Sequence, residues 1–145
     1  MKKIIVTITA VLLFVAVYAT DKVEKNIERS FESEFPGATH ASWAKIKNTN
    51  IYSVRFVKGG EALMAYFDTD GNYLAIAKSI LEENLPSPVK KSLSRINPTG
   101  ALATSEQLNM KGEISYLFYF KESGQKKAYQ INEGGGIKNM RIKEM

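Results

Sequence analysis

Few residues in this 145-residue chain are equipped to do chemistry. There is one histidine, His40, and no cysteine, which excludes thiol nucleophiles, thiolate metal sites and disulfides together. No Gly-x-Ser-x-Gly, His-Glu-x-x-His or phosphate-loop pattern occurs, so the common nucleophile and metal constellations cannot be assembled. A carboxylate pair could still serve acid–base chemistry, but the acids crowd onto one helix-like segment and into turns, where a solvated face accounts for them. No catalytic residue, metal ligand or cofactor is assigned, and the chain is read as a non-enzyme.

Two segments imitate ligand sites. Asp68-x-Asp70-Gly71-Asn72 begins like a calcium loop, yet such a loop closes on a glutamate at its twelfth position and here that position is Ser79. A hairpin turn accounts for it better, with Gly71 supplying positive φ and the aspartates capping nearby amides. Gly134-Gly135-Gly136 looks like a phosphate cradle only in isolation, since it falls between two strand-like segments rather than ahead of a helix.

The single tryptophan, Trp43, has two readings. It packs beneath a helix as core, or it stands on an open sheet face with Lys45, Lys47 and Arg55, an aromatic among cations as in binding hot spots. Tyr116, Tyr119 and Tyr129 pose the same choice, and strand alternation puts Tyr119 opposite Tyr116, so both cannot be core on a one-faced sheet. Trp43, Arg55 and Tyr119 are the candidate partner contacts.

The elements that would position these residues follow from periodicity. Val23, Ile27, Phe31 and Phe35 recur every four residues among charged ones from Thr20 to Phe35, predicting an amphipathic helix with Asp21 as N-cap and Pro36-Gly37 as its stop. The period then becomes two. Strands are expected over 38–47, around Tyr52/Val54/Phe56, around Leu63/Ala65/Phe67, and from Tyr73 to Ile80, separated by turn-rich segments that imply an antiparallel meander. The order restarts with a second helix carrying Val89, Leu93 and Ile96, with Ser87 as N-cap, Pro88 at the first helical position and Asn97-Pro98-Thr99-Gly100 as its end. Strands over 101–110, 113–121, 126–132 and 137–143 follow.

Helix and four strands thus occur twice. Tyr52/Val54/Phe56 reads as Tyr116/Phe118/Phe120, Ala65-Tyr66 as Ala128-Tyr129, and Asp70-Gly71 as Glu133-Gly134, so an internal duplication with halves near 20–82 and 83–145 is the economical account. The expected fold class is α+β: two helix-plus-four-strand repeats forming one eight-stranded antiparallel sheet with both helices on one face.

The helix ending in Phe35-Pro36-Gly37-Ala38, Trp43 after it, the Tyr-Ser-Val-Arg-Phe strand at 52–56, the run Tyr66-Phe67-Asp68-Thr69-Asp70-Gly71-Asn72, and Leu85-Pro86 before the second helix resemble the β-lactamase-inhibitor-like, PepSY-like domains of exported bacterial proteins. The resemblance spans residues 20–145, and is weaker in the second half, where no tryptophan follows Gly100 and the turn reads Asn132-Glu133-Gly134-Gly135-Gly136. It implies a fold similar to β-lactamase inhibitory protein, whose curved sheet can grip a protein partner. It does not transfer inhibition of a β-lactamase to this chain.

Lys2 and Lys3, the apolar run from Ile4 to Val17 and the small residues before a cut after Ala19 have the three parts of a cleavable export signal. A retained anchor is the rival reading, but a run of roughly 14 residues is short of the ~20 that span a bilayer. Removing those 19 residues leaves 126 and lowers the formal charge from +5 to +3, because Lys2 and Lys3 are the only charges lost. So small an excess, without an arginine-rich run, does not indicate nucleic acid. The expected molecule is a periplasmic or secreted, non-catalytic module that binds or inhibits an envelope or secreted protein or peptide through an open sheet face, with no membrane anchor after cleavage. The alternative is a small-ligand binding or sensing domain with a pocket between helices and sheet.

Overall fold

The fourfold spacing of Ile27 and Phe31 gives helix α1 (Lys25–Glu34) its buried stripe. The computed structural model describes residues 22–96, 101–122 and 124–140. The export signal expected over 1–19, the expected cap Asp21, and the expected Asn97–Gly100 helix end lie outside the described residues. α1 begins later than the spacing suggested: Glu24, extended at φ −71° and ψ 144°, is its N-cap and makes no side-chain cap bond. Val23 is buried from a position ahead of the helix, so its place in the fourfold series reflects packing rather than helical phase. The helix stops as expected, with the Phe35 amide donating to Phe31 O at 2.9 Å and Gly37 at φ +80° reversing the chain after Pro36.

After it come β1 (Thr39–Lys45), β2 (Ile51–Lys58), β3 (Glu61–Asp68) and β4 (Tyr73–Ser79). A 3₁₀ turn at Glu82–Asn84, which periodicity did not foresee, leads to helix α2 (Ser87–Ile96). Then follow β5 (Ala101–Met110), β6 (Glu113–Glu122), β7 (Gln125–Asn132) and β8 (Ile137–Met140). α2 starts one residue early: the Lys90 amide donates to Pro86 O at 3.0 Å, which puts Ser87 inside the first turn instead of at the cap. The described residues form two compact units, 22–78 and 79–140.

In the first unit each strand pairs antiparallel with the next. The registers align Trp43 with Val54, Val54 with Ala65, and Ala65 with Ile76, while Tyr52 meets Phe67 and Phe56 meets Leu63. That row faces α1 and with Val23, Ile27 and Phe31 makes the core. Phe31 is its hub, edge-on to Phe56 at 5.0 Å, Trp43 at 5.4 Å and Phe67 at 6.3 Å between ring centroids. A ten-residue helix is marginal alone in water, so burial of Ile27 and Phe31, worth about 1.5–3 kcal/mol each, is what holds α1 in place.

In the second unit β5 to β8 form a like meander. Leu85, Val89 and Leu93 pack on Tyr116, Phe118, Phe120 and Ile131. Ser105 ties β5 to the segment ahead of α2, its hydroxyl donating to Ile80 O while the Ile80 amide donates to Ser105 O at 3.1 Å.

The pairings correct one expectation about how the halves correspond. Val54 opposes Ala65 and Phe118 opposes Tyr129, so Ala65 and Phe67 correspond to Tyr129 and Ile131. The dipeptide match of Ala65-Tyr66 with Ala128-Tyr129 is one residue out of step. It equates Tyr66, on the face away from α1, with Tyr129, which packs toward α2, and a one-residue slip always exchanges the faces.

Candidate functional site

Alternation gives each unit a second sheet face, turned away from its helix. In the first unit that face carries Ser42, Ala44, Ser53, Arg55, Met64, Tyr66, Ala75 and Ala77, as the pairings Ser42–Arg55, Ser53–Tyr66, Arg55–Met64, Tyr66–Ala75 and Met64–Ala77 show. Most of it is apolar or small. Tyr66 is 1% exposed and Ala75 is fully buried; the Tyr66 hydroxyl donates to Met64 Sδ at 2.8 Å, and the Ser53 hydroxyl to Ala44 O at 3.4 Å. Arg55 is the exposed charge on this face.

Trp43 is not on it. It is 7% exposed and sits beneath α1 between Phe31 and Phe67, whose ring centroids lie 5.4 and 6.0 Å away. Its register against Val54 puts it on the core side, with Lys45 opposite Tyr52 on that side at the strand's end, while Arg55 points the other way. The grouping of Trp43 with Arg55 as one contact patch is therefore corrected. The parity of β1 depends on how the chain crosses the turn at Lys47–Asn50, and alternation within β1 carries no information on that.

In the second unit Tyr116 is buried against α2, and Tyr119 stands half-buried on the other face opposite Thr104 and Ala128. Leu108, Leu117, Ala128 and Met140 are buried on that same face. Burial raises the pKa of the Tyr116 phenol, with the nearby Glu133 carboxylate adding to the effect; Tyr73 is raised likewise by burial and then by Glu34. The sequence reading missed Met64 and Tyr66 as companions of Arg55. The alternation of Met64/Tyr66 against Leu63/Ala65/Phe67 was the available signal.

The two ligand-like turns are structural. The Asp68 carboxylate accepts the Asp70 and Asn72 amides through Oδ1, each at 2.9 Å, and the Asn72 side chain through Oδ2 at 2.9 Å. Those donors hold the oxygens a cation would need. Gly71, at φ +86°, lets the turn seat against α1, where a Cβ would stand 3.0 Å from the Ser30 hydroxyl. The second turn repeats the design: Asn132 Oδ1 accepts the Gly136 amide at 2.8 Å, Gly135 has φ +89°, and the buried Ser92 hydroxyl donates to Gly135 O at 2.6 Å. Gly71 therefore corresponds to Gly135, and Asp70 to Gly134, one place on from the expected match of Asp70-Gly71 with Glu133-Gly134. Among the described residues no group of three or more His, Cys, Asp or Glu side chains is placed to hold a metal ion, and no helix is long and apolar enough to cross a membrane.

No protein-family model matches this sequence, and no curated protein matches it. Solved structures do match. A protein from Bacteroides eggerthii described as periplasmic superposes with a TM-score of 0.69 at 12% identity, covering 82% of this chain and 90% of that one. A DUF2874 family protein from Bacteroides ovatus gives 0.68 at 14% identity over 82% and 89% of the two chains. A BLIP-like protein from Bacteroides fragilis gives 0.64 at 20% identity over 82% and 87%. The two helices and eight antiparallel strands of the described residues thus adopt a fold shared with a BLIP-like protein and with DUF2874 family proteins.

Proposed function

We propose that this chain is a non-catalytic, extracytoplasmic binding module that engages a protein or peptide through the sheet faces turned away from its helices, with Arg55 as a contact on the first unit and Tyr119 as a contact on the second. One observation carries the reading: the first unit's sheet is apolar on both faces, and α1 covers one of them. An antiparallel sheet that is solvated on one side ordinarily alternates apolar with polar residues. On this second apolar face Tyr66, Ala75 and Ala77 are buried, and the part open to a partner is exposed Arg55 with half-buried Met64 opposite it, an apolar-plus-arginine composition that supports recognition. Fold likeness to a BLIP-like protein and to a protein described as periplasmic supports the same reading, as does the export signal over 1–19. On this reading the chain is a two-repeat member of the β-lactamase-inhibitor-like, PepSY-like group.

The alternative, a small-ligand pocket between helix and sheet, has no room in the first unit, where Phe31, Trp43, Phe56 and Phe67 fill that space. Site-specific photo-crosslinking tests the proposal. A photoreactive side chain at Arg55 is expected to yield one discrete adduct from an envelope extract, and the same group at Glu32, on the exposed side of α1, none. Equal labelling from both positions refutes the assignment to the sheet face.

A further inference from the structure

Outside that face, the second unit has a groove of about 440 Å³ between α2 and the β7–β8 turn, lined by Ser87, Pro88, Lys91, Ser92, Arg95 and the Gly134–Gly135 backbone. Ser87, Lys91 and Arg95 are spaced by four and share one stripe of α2. Lys91 and Arg95 are exposed, form no ion pair among the described residues, and meet no carboxylate among the residues lining the groove. Like charges one helical turn apart repel, and the stripe starts at the helix N-terminus, where backbone amides add to the positive potential.

The first unit shows what this arrangement lacks. With Ser30 against Gly71 matching Ser92 against Gly135, Arg29 takes the place of Lys91 and Asp70 the place of Gly134. The first turn therefore brings its own carboxylate to the position where the second turn has a bare backbone. We infer that the groove binds an oxyanion of the phosphate or sulfate kind, free or carried on a larger molecule, with Arg95 and Lys91 as its charge partners and the Ser87 hydroxyl as a further donor. Its size suits a small group rather than a macromolecular surface, and a planar guanidinium beside a mobile ammonium is the usual pairing for such oxygens.

Amide shift mapping of the purified protein with inorganic phosphate, and with chloride at matched ionic strength, tests this. Saturable shifts confined to Ser87, Lys91, Ser92, Arg95, Gly134 and Gly135 are expected with phosphate and not with chloride. Arg95→Gln should weaken the affinity about tenfold or more, the loss of one charge-assisted contact. Gly134→Asp restores the first unit's carboxylate and should abolish binding without moving the melting temperature, because Gly134 is not among the glycines of positive φ and a Cβ there would lie 3.5 Å from Asn132 Oδ1. Co-sedimentation with phosphatidylglycerol vesicles that Gly134→Asp removes identifies a lipid-borne source, and phosphate binding without it a free one. Non-saturable shifts, an equal response to chloride, or wild-type binding by either variant overturns the site. None of these outcomes bears on the sheet face, which photo-crosslinking reads independently.

Discussion

Replacing Trp43 by alanine separates a core residue from a contact residue. The side chain is 7% exposed and packs on Phe31 and Phe67 at 5.4 and 6.0 Å, next to Ile27 and Val54, which are fully buried. Truncating a buried large aromatic costs about 3–5 kcal/mol. Among the described strands β1 pairs only with β2 and has some freedom to settle into the space, which favours the lower half of that range. For a domain of this size each kcal/mol is worth roughly 3–6 °C near the midpoint, so a loss of about 10–20 °C is expected. Far-ultraviolet circular dichroism is the assay, because the substitution removes the chain's one tryptophan and with it the fluorescence signal. Trp43→Phe, which keeps a ring against Phe31, should recover more than half of the loss, and Lys47→Ala, at an exposed turn position, should be silent. A Trp43→Ala midpoint within about 2 °C of wild type would refute the packing account and return Trp43 to the surface.

Gly135→Ala should destabilise by about 2 kcal/mol or more, since its backbone has φ +89° and a Cβ would lie 2.8 Å from Ser92 Oγ and 3.0 Å from Pro88 O. Gly71→Ala, with its nearest atom a serine hydroxyl at 3.0 Å, should cost less in the same urea titration. Tyr73 and Tyr116 have folded pKa values above the ordinary 10.0, so their neutral forms belong to the fold. Their contribution is whole below pH 10 and is lost as pH rises through the folded values, and Tyr73→Phe or Tyr116→Phe should flatten the decline in melting temperature on the alkaline side. Lys78→Ala should change stability by no more than about 0.5 kcal/mol, because its pairing with Glu61 is 4.0 Å long and exposed at both ends.

Much of the strand order was readable because alternation and turn chemistry agreed: Ala101–Met110 emerges with the expected bounds, and the Asp68 turn caps its own amides as expected. Failures came where a contact distant in sequence decides the outcome. Val23 looked helical because the core spaces it like a helix residue. Dipeptide identity misled at Ala128-Tyr129, where hydrogen-bond register assigns faces and identity does not. The Trp43 ambiguity turned on the phase of one strand relative to its neighbour. Lys91 and Arg95 were visible as a spacing of four, but the turn that joins them is distant in sequence, 43 residues separating Ser92 from Gly135, and only folding brings it near.

The bulge in β1 has a consequence for the molecule in company. Between Thr39 and Ser42 the ladder loses register, and His40 is turned to φ +57°, so the outer edge of the strand does not offer a regular row of amides and carbonyls. A second chain laying its own strand there would find the ladder interrupted at the bulge. Crowding such molecules together should then leave them as separate particles, and a strand straightened by deleting His40 is where end-to-end stacking into filaments would begin.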